Sequence, residues 1–383
     1  MSPIHGTVAP GFERVADEFA RNFAERGDLA SSCVVERDGV RVVDLWGGST
    51  PSGQWGPDSR SVMFSVSKGV TTICLLMAAE RGLLDLDERV AHYWPEYGVA
   101  GKDATTVRQV LAHRAGLPGP DVALTAADLA AWTPAVEALA AQAPAWRPGT
   151  AYLYHAITVG WLAGEVLRRA TGLRPGAWLA QHIADPLGLA MTFGLSDAAA
   201  AAAHVPLLDA PPAVHPVQDA PAAPLSEPLV ERALSLGGLI DPVNLITQFN
   251  RPDLLAGELP AANLVTTARS LARLYSATIG EVDGVRLLRP ETVADAARVQ
   301  SEGRTFIGTT EINRWGTGFM LPSPRRPMLG PAGFGHDGAG GQLAFADPVH
   351  RIAFAYQTAL PSNDLDDDRA NALCRAVAAS IQH

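Results

Sequence analysis

The segment "MFSVSKGV", Met63 to Val70, stands between a polar, Pro/Gly-rich stretch and a long apolar run. It holds one of only two lysines among the 30 basic residues of the chain, the other being Lys102. Beyond it Val70, Ile73, Cys74 and Met77 recur at intervals of three and four, and Gly82 follows. That spacing predicts a helix closed by the glycine. Residues three apart share a helix face, so a helix beginning near Ser65 brings its hydroxyl to the Lys68 amine. A serine hydroxyl is a poor nucleophile until a base takes its proton. Lysine can be that base only if its pKa falls, and burial among Met63, Phe64, Val66 and Val70 would lower it by disfavouring the charged form. Arginine could not serve, because it does not lose its proton in a protein. The helix N-terminus also favours negative charge developing on the serine oxygen. By itself S-x-x-K is a short pattern, and a helix start with a solvated lysine reads it too; its surroundings decide.

On the N-terminal side, Phe12, Val15, Phe19 and Phe23 predict a helix within 10–27, and SSCVVERDGVRVVDLWGG reads as a hairpin turning at Asp38-Gly39. On the C-terminal side four more helices are expected. TTVRQVLAHRAGL ends near Gly116, YHAITVGWLAGEVLRRATG closes at Gly172, GAWLAQHIADPLGL is stopped by Pro186, and TTARSLARLYSATIG closes at Gly280. Residues 198–230 are rich in alanine and proline and read as a linker or as a long loop over a site. GQLAFADPVHRIAFAYQTAL reads as a hairpin around Asp347-Pro348, and NDLDDDRANALCRAVAASI as a terminal helix whose acidic run, Asp366 to Asp368, suits a helix N-terminus. Strands at both ends and helices between them predict an α+β fold. An antiparallel sheet domain drawn from 1–85 and 265–383 would be flanked by the N- and C-terminal helices, with a mostly helical domain, 86–264, inserted.

The bulk numbers narrow the function classes. The chain has 383 residues, 47% hydrophobic and 18% charged, with a net charge of −10 and no basic cluster. Nucleic acid and anionic membrane are not expected partners. No charged start followed by an apolar run and no run of about 18 apolar residues occurs, so neither a signal peptide nor a membrane span is expected. The scattered Cys33, Cys74 and Cys374 read as reduced, buried thiols of a cytoplasmic protein. There is no G-x-S-x-G elbow, H-E-x-x-H or C-x-x-C, so neither an α/β-hydrolase triad nor a metal is expected, and no cofactor.

Two further stretches bear on Ser65. PGTAYLYHAITVGW carries Tyr154 just before a predicted helix, where a phenol could relay protons between nucleophile, lysine and leaving group. FGHDGAGGQLAFADP is a glycine-dense entry to a strand, whose backbone can approach a ligand closely and offer N–H donors to an oxyanion. Elsewhere, His113 reads as a capping or packing residue, and Trp46, Trp146, Trp161 and Trp315 as core or pocket wall. His336 either orients its strand or touches substrate, and Asn263 either lines the pocket or caps a helix.

In this order the stretches resemble the serine β-lactamase and penicillin-binding-protein superfamily. The likeness is nearest to its β-lactamase-like (family VIII type) carboxylesterases and runs from the first hairpin to the terminal helix. TTVRQVLAHRAGL is similar to the L-L-x-H-x-x-G-L segment of that family, and WRPGTAYLYHA to its P-G-x-x-x-x-Y approach. The resemblance implies a β-lactamase-like fold with Ser65 as nucleophile, Lys68 as base and Tyr154 as the second proton-transfer residue. His336-Asp337-Gly338 would lie where the family's K-T-G strand lies, and the N–H groups of Ser65 and Ala339 would form the oxyanion hole; His336, Asp337, Gly338, His155 and Asn263 are the candidate substrate contacts. The chain departs from the family twice. Y-x-N reads Tyr154-His155-Ala156, and K-T-G reads His336-Asp337-Gly338. The groups that grip a β-lactam carboxylate or a peptide C-terminus are thus replaced, while acyl transfer is left intact. The expected activity is cleavage of small-molecule carboxylic esters through a Ser65 acyl-enzyme, by a monomer or a homo-oligomer. An acyltransferase on the same scaffold is the alternative; a β-lactamase or D-aminopeptidase, or a non-catalytic scaffold, ranks below it.

Overall fold

The computed structural model describes residues 3–195, 198–209, 228–241, 245–362 and 367–382. Asp38 and Gly39 both take positive φ, 54° and 76°, the geometry of a tight hairpin turn. They join the strands Ala30–Arg37 and Val40–Thr50. At the second hairpin the Asp347 carboxylate accepts from the backbone N–H groups of Val349 and His350, closing a side-chain turn between Gln342–Asp347 and Ile352–Thr358. The two hairpins pair with each other, Val35 opposite Phe354. The sheet runs Ile4–Val8, Val40–Thr50, Ala30–Arg37, Ile352–Thr358, Gln342–Asp347, Phe334–Gly338, Met320–Leu321, Thr310–Trp315, Ser301–Arg304, every neighbour antiparallel.

Strand alternation sorts the core into two layers. Val35, Phe345, Ile352, Phe354 and Tyr356 pack with Phe12, the N-cap of the helix Glu13–Glu25, with Val15 and Phe19 of that helix, and with Leu373 and Val377 of the helix Arg369–Ile381. Each such residue removed from water contributes about 1.5–3 kcal/mol. The opposite face offers small side chains, Ala344, Ala346, Ala353 and Ala355, and the helix Ala268–Ile279 packs there. This is the α+β architecture expected, with an antiparallel sheet between helices.

The helix Val66–Glu80 is buried from Val66 to Ala78, which suits the unbroken apolar run from Ile73 to Ala79 in its second half. It packs against Thr158–Thr171 of the helical region and against the sheet strand Phe334–Gly338. Its entry is pinned by a second sheet, Ser61–Val62 with Leu264–Thr266 and Met191–Phe193. Two glutamines tie the sheets together. Gln342 Nε2 donates to the Val62 carbonyl at 2.9 Å, and Gln357 Nε2 to Ser61 Oγ and the Thr266 carbonyl, each at 2.9 Å.

Local expectations need three corrections. The helix in TTVRQVLAHRAGL spans only Val107–Leu111, because His113 turns the chain at φ 62°. The helix beginning at Pro175 is not stopped by Pro186. It passes through a π-helical turn, Ala180–Ala184, whose wider hydrogen-bond spacing carries the chain on to Gly188. Within 198–230, helices Ala198–Ala203 and Pro228–Ser235 form, and residues 210–227, on which the loop reading rests, lie outside the described residues. Cys33, Cys74 and Cys374 are free and buried. Among the described residues no helix is long and apolar enough to cross a membrane.

Candidate active site

Ser65 is the N-cap of Val66–Glu80, but its side chain makes no cap hydrogen bond. The usual task of an N-cap serine is to accept from the first helical turn; here the oxygen is left for other partners. The preceding residue, Phe64, takes φ 45°, a sparsely populated conformation for a bulky residue. Its surroundings enforce it. The Phe64 carbonyl accepts from both the N–H and the hydroxyl of Ser67, and its ring meets Phe249 edge-on at 5.3 Å. The Ser67 hydroxyl oxygen in turn accepts from Leu264 N–H at 3.0 Å.

Lys68 Nζ and Tyr154 OH converge on Ser65 Oγ, each at 2.9 Å. Nζ also donates to the Ala261 carbonyl at 2.8 Å and stands 4.9 Å from the Tyr154 ring centroid. Burial holds the Lys68 amine well below its ordinary pKa of 10.5, an effect that the negative charge of Asp337 partly offsets. A cavity of about 10 Å³, room for one water, adjoins Lys68 and is walled by Leu111, Val159, Pro260 and neighbours. Nζ thus donates both to Ser65 Oγ and to the Ala261 carbonyl, and the phenol donates to the same Oγ.

Tyr154 is half-buried and its ring is gripped. Trp315 stacks on it at 4.8 Å and 18°, and His113 meets it edge-on at 4.8 Å. His113 Nδ1 accepts from His155 N–H at 3.2 Å. Burial, then the charges of His155 and Lys68, push the His113 pKa well below 6.5, so it packs beneath the phenol as a neutral ring.

The strand Phe334–Gly338 closes the site. A side chain at Gly338 would meet the Met63 carbonyl oxygen at 2.5 Å, so only glycine lets the strand lie against the segment leading into Ser65. His336 is buried, with Nδ1 2.7 Å from the Asp337 carbonyl. Its Nε2 is buried without a hydrogen-bond partner among the described residues. Its ring lies 5.5 Å from Trp315 and 6.1 Å from Tyr154. Burial lowers the His336 pKa, with Asp337 opposing. Asp337 accepts from Arg326 Nε at 3.2 Å. Burial would raise its carboxyl, but His336 and the arginines hold it below the ordinary range. Ser65, Tyr154, Asp337 and Ala339 are the partly exposed members of the cluster.

Two expected substrate contacts are instead structural. Asn263 is fully buried, accepting from Leu259 N–H at 2.9 Å and donating to the Gly257 carbonyl at 2.7 Å. It staples the loop before Leu264 and has no amide group left for a substrate; the helix cap is Thr267. His155 is also fully buried. Its Nδ1 faces the Leu153 carbonyl at 2.6 Å and its Nε2 accepts from Leu117 N–H at 3.0 Å, which fixes one neutral tautomer. Sequence reasoning did not find the Ala261 carbonyl or the Gln342 anchor, and it did not place Trp315 and His113 around Tyr154. A backbone carbonyl leaves no residue-type signal, and a stacking aromatic looks like any core residue.

Residues 19–379 match the family model described as Beta-lactamase. The chain is 33% identical over 367 residues to the Esterase/beta-lactamase LipL of Mycobacterium tuberculosis, covering 92% of this chain and 82% of that protein. Among solved structures, it is similar to a penicillin-binding-protein homologue from Caulobacter crescentus, with a TM-score of 0.84, 33% identity and coverage of 99% and 100% of the two chains. It is equally similar to a family VIII carboxylesterase, with a TM-score of 0.84, 32% identity and 98% of each chain covered.

Proposed function

The chain belongs to the beta-lactamase family, and from that premise we propose that it cleaves small carboxylic esters through a Ser65 acyl-enzyme. The observation that carries this is the meeting of Lys68 Nζ and Tyr154 OH on one serine oxygen, at 2.9 Å each, with the amine buried. The esterase and carboxylesterase names of its relatives support an ester substrate.

Neutral Lys68 takes the Ser65 proton as Oγ attacks the ester carbonyl carbon. The oxyanion accepts from the N–H groups of Ser65 and Ala339, the first at the start of a helix whose dipole favours negative charge. As the intermediate collapses, the C–O bond to the alcohol breaks and the leaving oxygen takes the Tyr154 proton; the Lys68 ammonium then returns a proton to the phenolate, so both groups enter deacylation as they entered acylation. Water then attacks the acyl-enzyme, its proton passes to the Tyr154–Lys68 pair, and Ser65 leaves with its own proton restored. A leaving alcohol needs no cationic grip; among the described residues facing Ser65, His336 is pushed toward its neutral form by burial and Arg326 is paired with Asp337.

The test is p-nitrophenyl acetate turnover together with fluorophosphonate labelling, in the wild type and in Ser65→Ala. The wild type turns over ester and labels; the variant does neither while keeping its thermal unfolding. A Ser65→Ala protein with a tenth or more of wild-type turnover would overturn the assignment.

A further inference from the structure

The turn carrying Ala339 is braced from behind by a buried ion cluster. Gly338 C=O accepts from Gly341 N–H at 3.3 Å, and Gly340 has φ 85°, so 338–341 is a β-turn with glycine where positive φ is required. With glycines at 338, 340 and 341, this would be the least restrained backbone around the site. It is restrained from outside. The Gly340 carbonyl accepts from Arg369 Nη2 at 3.2 Å and from Ser362 N–H at 3.1 Å. Arg369 is 2% exposed, and its other donors are committed. Nη1 donates to the Leu360 carbonyl at 2.9 Å, while Nε and Nη2 donate to the Asp367 carboxylate at 2.9 and 2.7 Å. Asp28 lies 3.5 Å from Nη1 and is itself fixed by hydrogen bonds from Tyr356 OH at 2.5 Å and Thr358 Oγ1 at 3.0 Å. A planar guanidinium held on every edge cannot swing, so the peptide it grips cannot either.

We propose that Arg369 is a positioning residue of the acyl-transfer site: through the Gly340 carbonyl it fixes the turn that aims Ala339 N–H at the oxyanion. This rests on the reading of Ser65 and Ala339 given above. An oxyanion donor acts only when it already stands where the charge will form, and small misplacements cost rate steeply. The acidic run before the terminal helix thereby has a second use. Asp367 does more than suit the helix start, because it orients the guanidinium.

The experiment compares wild type, Arg369→Lys, Asp367→Asn and Ser65→Ala. It reads kcat and KM on p-nitrophenyl acetate, the inhibition constant of phenylboronic acid, which forms a tetrahedral adduct on a serine oxygen, and thermal unfolding. Arg369→Lys keeps the charge but loses the fork. Its kcat is expected to fall about tenfold or more, with KM within about twofold and boronate affinity falling in step with kcat, a split that a merely structural role would not produce. A folded Arg369→Lys with wild-type kcat, or with KM carrying the whole loss, overturns the proposal. If Arg369→Lys does not fold, Asp367→Asn decides. It keeps the side-chain volume and an oxygen for the Arg369 backbone N–H while weakening the grip on the guanidinium, so a smaller kcat loss at unchanged KM supports the brace and unchanged kcat overturns it. Turnover persisting in Ser65→Ala shows that the underlying site reading has failed; an inactive Ser65→Ala beside a fully active Arg369→Lys shows that the brace alone has failed.

Discussion

Tyr154 and Trp315 lie ring on ring, 4.8 Å apart and 18° from parallel, with the phenol oxygen 2.9 Å from Ser65 Oγ. The stack fixes the ring without using its hydroxyl, so packing and proton transfer can be separated by one atom. In Tyr154→Phe the stack remains and the relay is gone. The loss is expected in kcat, about 10²–10⁴-fold, with KM little changed. Steady-state kinetics on an aryl acetate read it, and near-normal kcat would reduce Tyr154 to a packed aromatic.

The pH profile tests the base. In the proposed mechanism acylation needs Lys68 neutral, and burial holds its pKa well below the ordinary value, with Asp337 pulling part of the way back. kcat/KM therefore rises with pH through the lowered value and levels off above it; the inflection belongs to the coupled Lys68–Tyr154 pair. Lys68→Arg keeps a charge that cannot be lost and should be as inactive as Lys68→Ala. Asp337→Asn removes the charge that raises Lys68, so its acid limb should move to lower pH. An unmoved limb would mean that some other group titrates.

Selectivity follows from the strand facing Ser65. His336 is buried and pushed toward its neutral form, and Arg326 is paired with Asp337, so among the described residues of that strand and its neighbour a β-lactam carboxylate finds no free cation. A charged hydrogen bond is worth about 1.5–3 kcal/mol. Nitrocefin kcat/KM should thus trail that of p-nitrophenyl acetate by roughly 10- to 100-fold. Parity between the two substrates would contradict the argument.

Burial also couples the site to acid stability. The His155 pKa is lowered from 6.5 to about 4 by desolvation, opposed by the Leu153 carbonyl. Its folded pKa lies below its unfolded one. The unfolded chain therefore binds the extra proton between these values, and the stability contributed above pH 6.5 is lost as pH falls toward 4. One such group gives at most about 1.4 kcal/mol per pH unit. Burial raises the carboxyls of Glu36 and Glu258, which tilts the curve the other way, so the readout is the difference between wild type and His155→Gln in urea unfolding. The slope between pH 4 and 6.5 should be shallower in the variant, and equal slopes would exclude His155 as the source.

Much of this was legible in the chain because the signals were local. Asp38-Gly39 announces its turn, the spacing after Ser65 announces its helix, and a lysine three residues on announces a contact. Asn263 stands in the chain as a pocket-lining or capping residue, and His155 as a candidate substrate contact beside Tyr154. What consumes those groups are backbone atoms of Leu259, Gly257, Leu117 and Leu153, and backbone atoms are the same in every residue. Pro186 was read as a helix stop from its missing N–H; a π-helical turn just before it is a tertiary accommodation that propensity does not encode. Arg369 was hidden for the opposite reason: an arginine in a terminal helix looks solvated until the fold wraps Asp28, Asp367 and Gly340 around it.

The pairing of Val35 with Phe354 in the middle of the sheet bears on how the chain is made. Synthesis proceeds from the N-terminus at roughly 5–20 residues per second. The hairpin Ala30–Thr50 therefore waits tens of seconds, with one edge of Ala30–Arg37 open, before its partner Ile352–Thr358 leaves the ribosome. Closing so long a loop is entropically slow, and an open apolar edge is a template for pairing with the wrong chain. Yield during expression should accordingly respond to lower temperature or to chaperones that shield nascent strands, even for variants whose finished fold is as stable as the wild type.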